Sequence, residues 1–232
     1  MIYEERPPSP SLRSLVACFW SISGERDGHR VLPDGAMDIV VIDGVARVVG
    51  AMTRAVIVPG GTGPVFGVRF RPGEAVRILA EAAELTDVDA LLAEIWREGP
   101  RAIEDEQALQ RAVIARLASH GAAADVRVRA AIDVLASGGS VRQAAERAGL
   151  SERQLARRFT PRVGIGPKMF ARVMRLQRAA GVLARGASPL AASTHAGYAD
   201  QAHFTRDARE LARATPSVLA SEMFKTPVAF AG

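Results

Sequence analysis

The stretch GLSERQLARRF, Gly149 to Phe159, decides the fold of the second half of this 232-residue chain. Ser151 and Gln154 stand three residues apart within it. That spacing is typical of a capping box, in which each of the two side chains accepts a hydrogen bond from the backbone N–H of the other residue at the start of a helix. The stretch therefore predicts a helix that begins just after Ser151.

The predicted helix has two chemically different faces. Leu155 and Phe159 lie four residues apart on one side, Arg153 and Arg157 have the same spacing on another, and Arg158 lies beside them. The apolar side can pack in a core, while the guanidinium groups can bond phosphates and guanine edges. A recognition helix in the major groove of DNA requires this combination.

A shorter helix is predicted immediately before this one. Ser140 can cap a helix over Val141–Ala148, and Gly149 then allows a sharp turn into the recognition helix. A short helix, a glycine turn and a second helix form the pattern of a helix-turn-helix motif.

The same pattern returns further along the chain, with a short helix from Pro189, a turn at Gly197 and a helix capped by Asp200. Three pairs of equivalent residues are each 49 positions apart, namely Leu155 and Phe204, Arg157 and Arg206, and Pro167 and Pro216. A helix predicted from Pro167 to about Arg185 separates the copies and is about 28 Å long at 1.5 Å per residue. Successive major grooves on one face of DNA are about 34 Å apart, so the two recognition helices can enter adjacent grooves of modestly bent DNA.

The net charge changes sign along the chain. Residues 1–125 carry a net charge of −5 and residues 126–232 a net charge of +10. A basic region favours a polyanionic partner, because binding phosphates releases counterions. We expect an N-terminal sensory or dimerisation domain over residues 1–121, a linker over residues 122–125 and a DNA-binding domain over residues 126–232.

The N-terminal part has the composition of an extended entry over residues 1–15 and then short strands separated by turns. The predicted strands are Cys18–Ile22, His29–Leu32, Met37–Ile42, Ala46–Val49, Ala55–Val58 and Val65–Phe70. Helices are predicted to follow over Glu74–Ala80, from a Thr86 cap to about Trp96, and over Ile103–Ser119. The expected fold class is α+β, with a mainly β, barrel or sandwich-like N-terminal domain and trailing helices, then an all-α double helix-turn-helix domain.

Several functional classes find no support in the sequence. Cys18 is the only cysteine, which excludes an intramolecular disulfide and a cysteine-rich zinc site. His29, Asp34, Asp38 and Asp43 are better explained by turns than by a metal or an acid–base pair, since two of the aspartates precede glycine. With no P-loop, HExxH run or nucleophile–base spacing, we expect no enzyme, metal or cofactor. The chain also lacks an apolar run of roughly 20 residues and a signal-peptide pattern, so we expect a soluble, cytoplasmic protein.

Two apolar sets have two interpretations each. Trp20, Phe66 and Phe70 can line a pocket or belong to the core, and core packing is the more common role. The stripe of Leu109, Val113 and Leu117 can pack within the domain or pair two subunits.

The region from about Val126 to Met223 resembles the DNA-binding domain of AraC/XylS-type transcriptional regulators. The residues that carry the resemblance are Ala144-Ala145, Gly149-Leu150-Ser151, Arg153, Leu155, Arg157, Phe159, Gly164, Pro167, Gly197 through Arg206, and Thr215-Pro216. The segments Arg30–Gly35, Val49–Thr53 and Phe66–Gly73 look like an uncharacterised N-terminal domain found on some of these regulators. That second likeness names no ligand.

The resemblance implies sequence-specific binding of double-stranded DNA through the two recognition helices. It implies groove contacts by Arg153, Arg157, Gln201, Thr205 and Arg206, although an arginine at position 206 can instead pair with an acidic residue. Arg158 and Arg209 are candidates for phosphate contacts or for surface charge, and His203 for a phosphate contact or a structural role. RNA polymerase, a small-molecule effector and a second copy of the chain are the further partners that such a regulator implies. The alternative is a helix-turn-helix protein that binds proteins as a scaffold and has no specific DNA site.

The second module departs from the family pattern at three positions. Ala208 and Ala212 stand where aromatic residues are usual, and Arg213 stands where a glycine is usual. Missing aromatics remove core contacts unless neighbours fill the space, and arginine adopts a left-handed cap less easily than glycine. We therefore expect the second recognition helix to contribute less sequence discrimination than the first.

Overall fold

The computed structural model describes residues 2–79, 81–100 and 102–223. It has an α+β architecture, as predicted, with a β-rich N-terminal region followed by helices. Among these residues, no helix has the length and apolar character needed to cross a membrane.

The N-terminal region is built on a six-stranded antiparallel sheet in the order β1-β2-β7-β4-β5-β8, and β3 and β6 pair separately. The strands are β1 (Ile2–Arg6), β2 (Val16–Ser23), β3 (His29–Val31), β4 (Asp38–Ile42), β5 (Val45–Val49), β6 (Val56–Val58), β7 (Val65–Phe70) and β8 (Asp89–Leu91). The six predicted strands are confirmed with small shifts at their ends. The sheets do not close into a barrel, so the sandwich-like alternative describes them better.

The predicted helix from Thr86 to Trp96 is wrong. The chain instead forms a 3-10 helix at Ala82–Leu85, strand β8, and a single helical turn, α1 (Leu92–Ile95). Strand β8 satisfies its backbone groups by pairing with β5, and Asp87, with a φ of 55°, turns the chain into it. Tertiary pairing therefore overrides the local periodicity.

The prediction of a helix over Glu74–Ala80 is also wrong, because the described residues form only a 3-10 turn at Ala75–Arg77. The extended entry predicted over residues 1–15 contains strand β1, whose backbone pairs with β2 along its whole length. The helix predicted over Ile103–Ser119 exists as α2 (Glu106–His120), and the side chain of Asp105 caps it.

The C-terminal region is helical throughout. Its elements are α3 (Val126–Ala136), α4 (Val141–Ala148), α5 (Glu152–Val163), α6 (Pro167–Ala184), α7 (Pro189–Ala196), α8 (Gln201–Leu211) and α9 (Pro216–Met223). Helix α6 has 18 residues, which gives it a length of about 27 Å.

The two regions share their hydrophobic cores. One cluster joins sheet residues such as Phe19 and Phe70 to Phe159 and Phe170 of the helices. Leu109 and Val113 are fully buried in it and Leu117 packs against it, so the α2 stripe packs within the chain. The segment proposed as a linker is also held in place, because Ala122 exchanges two hydrogen bonds with Arg77.

Candidate nucleic-acid interface

Two helix-turn-helix modules follow one another in the structure. Helices α4 and α5 form the first and α7 and α8 the second, and α6 connects them. Gly149 and Gly197 end the first helix of each module with φ values of 64° and 80°. These positive angles favour glycine, which has no Cβ to clash in the left-handed region. The internal duplication predicted from the sequence is confirmed in the helical arrangement.

Each recognition helix begins at the predicted cap. Ser151 Oγ accepts a hydrogen bond from the Gln154 N–H at 3.3 Å, and Gln154 Oε1 accepts one from the Ser151 N–H at 2.9 Å, which completes a capping box. Asp200 Oδ1 accepts a hydrogen bond from the His203 N–H at 2.6 Å. The caps satisfy backbone donors that a helix end leaves free, and they fix where the first exposed residues of each helix lie.

Helix α5 separates its two faces as the sequence predicted. Leu155 and Phe159 are fully buried, and the Phe159 ring packs edge-on against Phe170 of α6 with 5.5 Å between ring centroids. Arg153 and Arg157 are exposed. Within the described residues, neither guanidinium forms a salt bridge or hydrogen bond, so both are available to an external anion.

Helix α8 presents a similar but less uniform surface. Gln201, Arg206 and Arg209 are exposed, and the part of the chain that the structure describes gives none of their side chains a polar partner. The hydroxyl of Thr205 donates to the Gln201 carbonyl oxygen at 2.8 Å. His203 packs edge-on against Tyr198 with 5.1 Å between ring centroids, which gives the imidazole a structural contact.

Arg158 differs from the other predicted contact residues because it is held within the protein. Its Nε donates to Asp125 Oδ2 at 2.5 Å, and Arg162 Nε lies 3.2 Å from the same oxygen. Asp125 also caps α3 by accepting hydrogen bonds from the Arg127 and Val128 N–H groups. Half of the Arg158 side chain remains exposed, at 50%, so its outer nitrogens still face solvent.

In the second module an ion pair also holds the recognition helix, but here the recognition helix contributes the acidic residue instead of the arginine. Position 207 is the 49-residue equivalent of position 158, and Asp207 there accepts hydrogen bonds from Arg172 of α6 at 2.7 and 3.2 Å. Arg172 also binds Glu210 at 2.6 Å. The sequence analysis allowed Arg206 to pair with an acidic residue, but the arginine that pairs with Asp207 is Arg172. The sequence analysis predicted neither the Asp125–Arg158 pair nor the Asp207–Arg172 pair. The change from Arg158 to Asp207 at equivalent positions of the repeat was a signal that could have indicated them.

The acidic residues of the N-terminal region behave mostly as turn residues. Asp34 Oδ1 accepts a hydrogen bond from the Ala36 N–H at 2.9 Å, and Asp43 takes a left-handed φ of 51° beside Gly44. Asp38 is different, because it accepts two hydrogen bonds from Arg69 on the neighbouring strand, at 3.1 and 3.2 Å. Among the described residues, no three His, Cys, Asp or Glu side chains gather as a metal site would require.

The lone cysteine has the character of a core residue. Cys18 is buried beside Trp20 and Val65. Burial raises the pKa of its thiol to about 12, so it stays protonated, and weakly nucleophilic, near neutral pH. Phe70 lies in the main core, and Trp20 is buried in this smaller cluster.

The structure gives each of the three unusual positions of the second module a defined environment or backbone conformation. Ala208 and Ala212 are fully buried. Arg213 adopts a φ of 52°, the left-handed conformation that a glycine would take there. Leu32 and Ala55 of the N-terminal region belong to the same apolar cluster as these alanines.

Two segments of the chain match known family models. Residues 144–222 match the family model of a helix-turn-helix domain, and residues 4–90 match that of a domain of unknown function. No curated protein matches the chain.

Solved structures of regulators are similar over part or all of the chain. An AraC-type transcriptional regulator from Chromobacterium violaceum is 23% identical, with coverage of 44% of this chain and 95% of its own and a TM-score of 0.40. A probable AraC family regulator from Rhodopseudomonas palustris is 25% identical, with coverage of 43% and 98% and a TM-score of 0.38. ToxT from Vibrio cholerae is 8% identical, with coverage of 97% and 99% and a TM-score of 0.48.

Proposed function

Since the C-terminal region is an AraC-type helix-turn-helix domain, as found in DNA-binding transcription regulators, we propose that this chain binds a specific two-part promoter site by placing α5 and α8 in adjacent major grooves. A single chain carries both recognition helices, so one copy can bind an asymmetric site. A palindrome is not required.

The observation that carries the proposal is the set of exposed arginines on two helices of the same helical region. Arg153 and Arg157 on α5, and Arg206 and Arg209 on α8, are exposed and lack an acidic partner among the described residues. Helix α6, about 27 Å long, separates the two modules. Adjacent grooves are about 34 Å apart, and a modest bend of the DNA makes up the difference.

The side chains divide into base and phosphate contacts by type and position. We assign base contacts to Arg153, Arg157, Gln201, Thr205 and Arg206, since bidentate arginine–guanine and glutamine–adenine pairs each contribute about 1–3 kcal/mol of discrimination. Arg209, Arg158 and His203 are assigned to the phosphate backbone, because they lie at the edges of the helices or are already held by protein partners. Phosphate contacts position the protein without reading sequence.

Control of DNA binding by a small molecule at the N-terminal region belongs to the same proposal. The support is the direct contact between this region and both modules. The Thr86 hydroxyl donates to the Gly164 carbonyl oxygen at the end of α5 at 2.6 Å, and the Ala55 N–H donates to the Leu211 carbonyl oxygen at the end of α8 at 2.6 Å. A ligand that shifts either contact changes the affinity for DNA in proportion to its preference for one arrangement.

Salt titration of the purified full chain on duplex DNA separates DNA binding from the scaffold alternative. If the basic helical region neutralises DNA phosphates, log K falls linearly with log salt, with a slope of about −0.9 for each phosphate contacted. A flat response would favour a protein partner. The matched variants are Arg209→Ala, at an assigned phosphate contact, which should reduce the slope by about 1, and Arg153→Ala, at an assigned base contact, which should leave the slope nearly unchanged.

A further inference from the structure

The end of the second recognition helix is completed by residues from the N-terminal region. The carbonyl oxygen of Leu211, the last residue of α8, accepts the Ala55 N–H at 2.6 Å. The carbonyl oxygen of the next residue, Ala212, accepts a hydrogen bond from Arg30 Nη1 at 2.9 Å. The last carbonyls of a helix lack partners within the helix, so strand β3 and the segment before β6 supply what the helix end requires.

Arg30 is largely buried and is held by several hydrogen bonds. Its side chain is only 12% exposed. Its Nε donates to Glu222 Oε2 at 2.9 Å, and Nη2 donates to Glu222 Oε1 at 3.3 Å. One guanidinium therefore ties β3 to the end of α8 and to α9, and its positive charge is favourable at a helix C-terminus.

The same contact compensates for the unusual residues of the second module. Ala208 and Ala212 fill less volume than aromatic side chains would, and Leu32 and Ala55 of the N-terminal region are buried in the cluster that contains them. Arg213 holds a left-handed backbone without the freedom of glycine. The Arg213 carbonyl oxygen also accepts a hydrogen bond from Arg30 Nη1 at 3.4 Å. A residue of the N-terminal region therefore stabilises this unfavourable backbone conformation.

The first module shows no comparable need. Its recognition helix keeps Phe159 in the core, and Gly164 ends it with a φ of 92°. The N-terminal region meets this end through the Ala82–Leu85 turn, which packs against α5, and through the Thr86 hydroxyl. Among the described residues, an arginine of the N-terminal region bonds the backbone at the end of the recognition helix in the second module only.

We propose that Arg30 is a positioning residue for DNA recognition, which fixes α8 in the orientation that its half-site requires without touching DNA. The inference rests on the proposed function. The N-terminal residues around Arg30 and Ala55 are then a structural part of the second helix-turn-helix module.

The test first obtains the binding site of the wild-type chain by selection from a random DNA pool. It then compares Arg30→Ala, Glu222→Gln and the wild-type full chain on three duplexes: this selected site, the site with its first half scrambled and the site with its second half scrambled. Arg47→Ala is the matched control, because Arg47 pairs with Asp89 inside the N-terminal region. Hydrogen exchange of the last turn of α8 is measured on the same proteins without DNA. This second readout tests the clamp even if the chain binds no DNA.

We expect Arg30→Ala to reduce the preference for the intact second half about tenfold, in the range of one base contact, and to leave the preference for the first half unchanged. The slope of log K against log salt should stay the same, whereas loss of a phosphate contact would reduce it by about 1. Exchange at the end of α8 should accelerate. Glu222→Gln should change both readouts in the same direction by a smaller amount, and Arg47→Ala should change neither.

Equal loss at both half-sites, a reduced salt slope, or unchanged exchange at the end of α8 would each overturn the inference. Failure of wild-type protein to bind any duplex would instead overturn the proposed function. In that case faster exchange in Arg30→Ala would still support the clamp.

Discussion

Arg153 and Arg157 of α5 have no acidic partner among the described residues, whereas several other arginines of the first module have one. Arg158 and Arg162 share Asp125, and Arg142 lies 3.8 Å from Glu146. A paired arginine already uses some of its donors within the protein, whereas an unpaired one keeps all of its charge-assisted hydrogen bonds for external contacts. At the scale of single residues, the absence of an acidic partner among the described residues therefore distinguishes Arg153 and Arg157 from Arg158 and Arg162 on the same helix.

We expect Arg153→Ala and Arg157→Ala each to weaken binding to the selected site by about 1–3 kcal/mol and to relax base preference in its first half. The same measurement on Gln201→Ala and Arg206→Ala should show smaller losses, because the second module departs from the family pattern. Affinity is measured by fluorescence anisotropy at fixed salt. Arg111→Ala on the exposed face of α2 is the control; equal losses for the two helices would contradict the ranking.

Arg213→Gly should stabilise the protein. Its left-handed φ of 52° costs a non-glycine residue roughly 1–2 kcal/mol, and glycine relieves that cost while losing some of the gain through its freer unfolded state. Urea denaturation should show a net gain of up to about 1 kcal/mol. Ala212→Gly, at a φ of −93°, has no such strain to relieve and should destabilise; a loss of stability in Arg213→Gly would contradict this account.

Helices α3 and α5 are joined by one buried carboxylate. Asp125, whose side chain is 3% exposed, caps α3 and binds Arg158 and Arg162 of α5. Burial alone would raise its pKa, but hydrogen bonds from Arg158 and the Val128 N–H, with the nearby arginine charges, lower the pKa below its ordinary value. At the scale of elements, this residue fixes the scaffold helix against the recognition helix.

Asp125→Asn should reduce stability near neutral pH and flatten its acid dependence. Because the pKa in the folded state is lowered, the contribution is fully present above the unfolded pKa of about 3.9 and is lost as pH falls through the folded value. We expect a difference of about 1 kcal/mol at pH 7, since Arg158 is half exposed, that shrinks below pH 4. Asp133→Asn, on the exposed side of α3, is the control. A difference that is constant from pH 7 to pH 2 would contradict the assignment.

Ala208→Phe should destabilise the full chain by about 1–3 kcal/mol, although the family pattern favours an aromatic residue there. Leu32 and Ala55 already share the cluster around this fully buried alanine. Thermal unfolding measures the change, and Ala202→Phe on the exposed side of α8 provides the comparison. A neutral or stabilising result would mean that the N-terminal residues do not fill this space.

The helices of the C-terminal region were predictable because each carries its own local signals. Ser140, Ser151, Ser188 and Asp200 all cap helices where the sequence placed them. The segment after Thr86 failed the same reasoning, since its apolar spacing suits a helix but strand β5 offers backbone partners that are closer in space than in sequence. Contacts such as Arg30 to Glu222, 192 residues apart, leave no local trace at all.

At the scale of the whole molecule, the motifs of the N-terminal region face the helical region. Pro33 accepts a hydrogen bond from Gln177 of α6 at 2.7 Å, and Gly35 lies so close to the Phe170 ring that a side chain there would collide with it. Gly73 lies against Ile132 and Val163 in the same way. The acidic half of the chain thus contacts both modules of the basic half, and the exposed arginines of α5 and α8 remain as the surface that we propose for DNA.

Selection of bound sequences from a random DNA pool with the purified full chain tests the central claim most directly. We predict enrichment of an asymmetric site of about two helical turns, with two half-sites one turn apart and stronger base preference in the half bound by α5. A single enriched half-site, a symmetric palindrome that requires two chains, or no enrichment would contradict it.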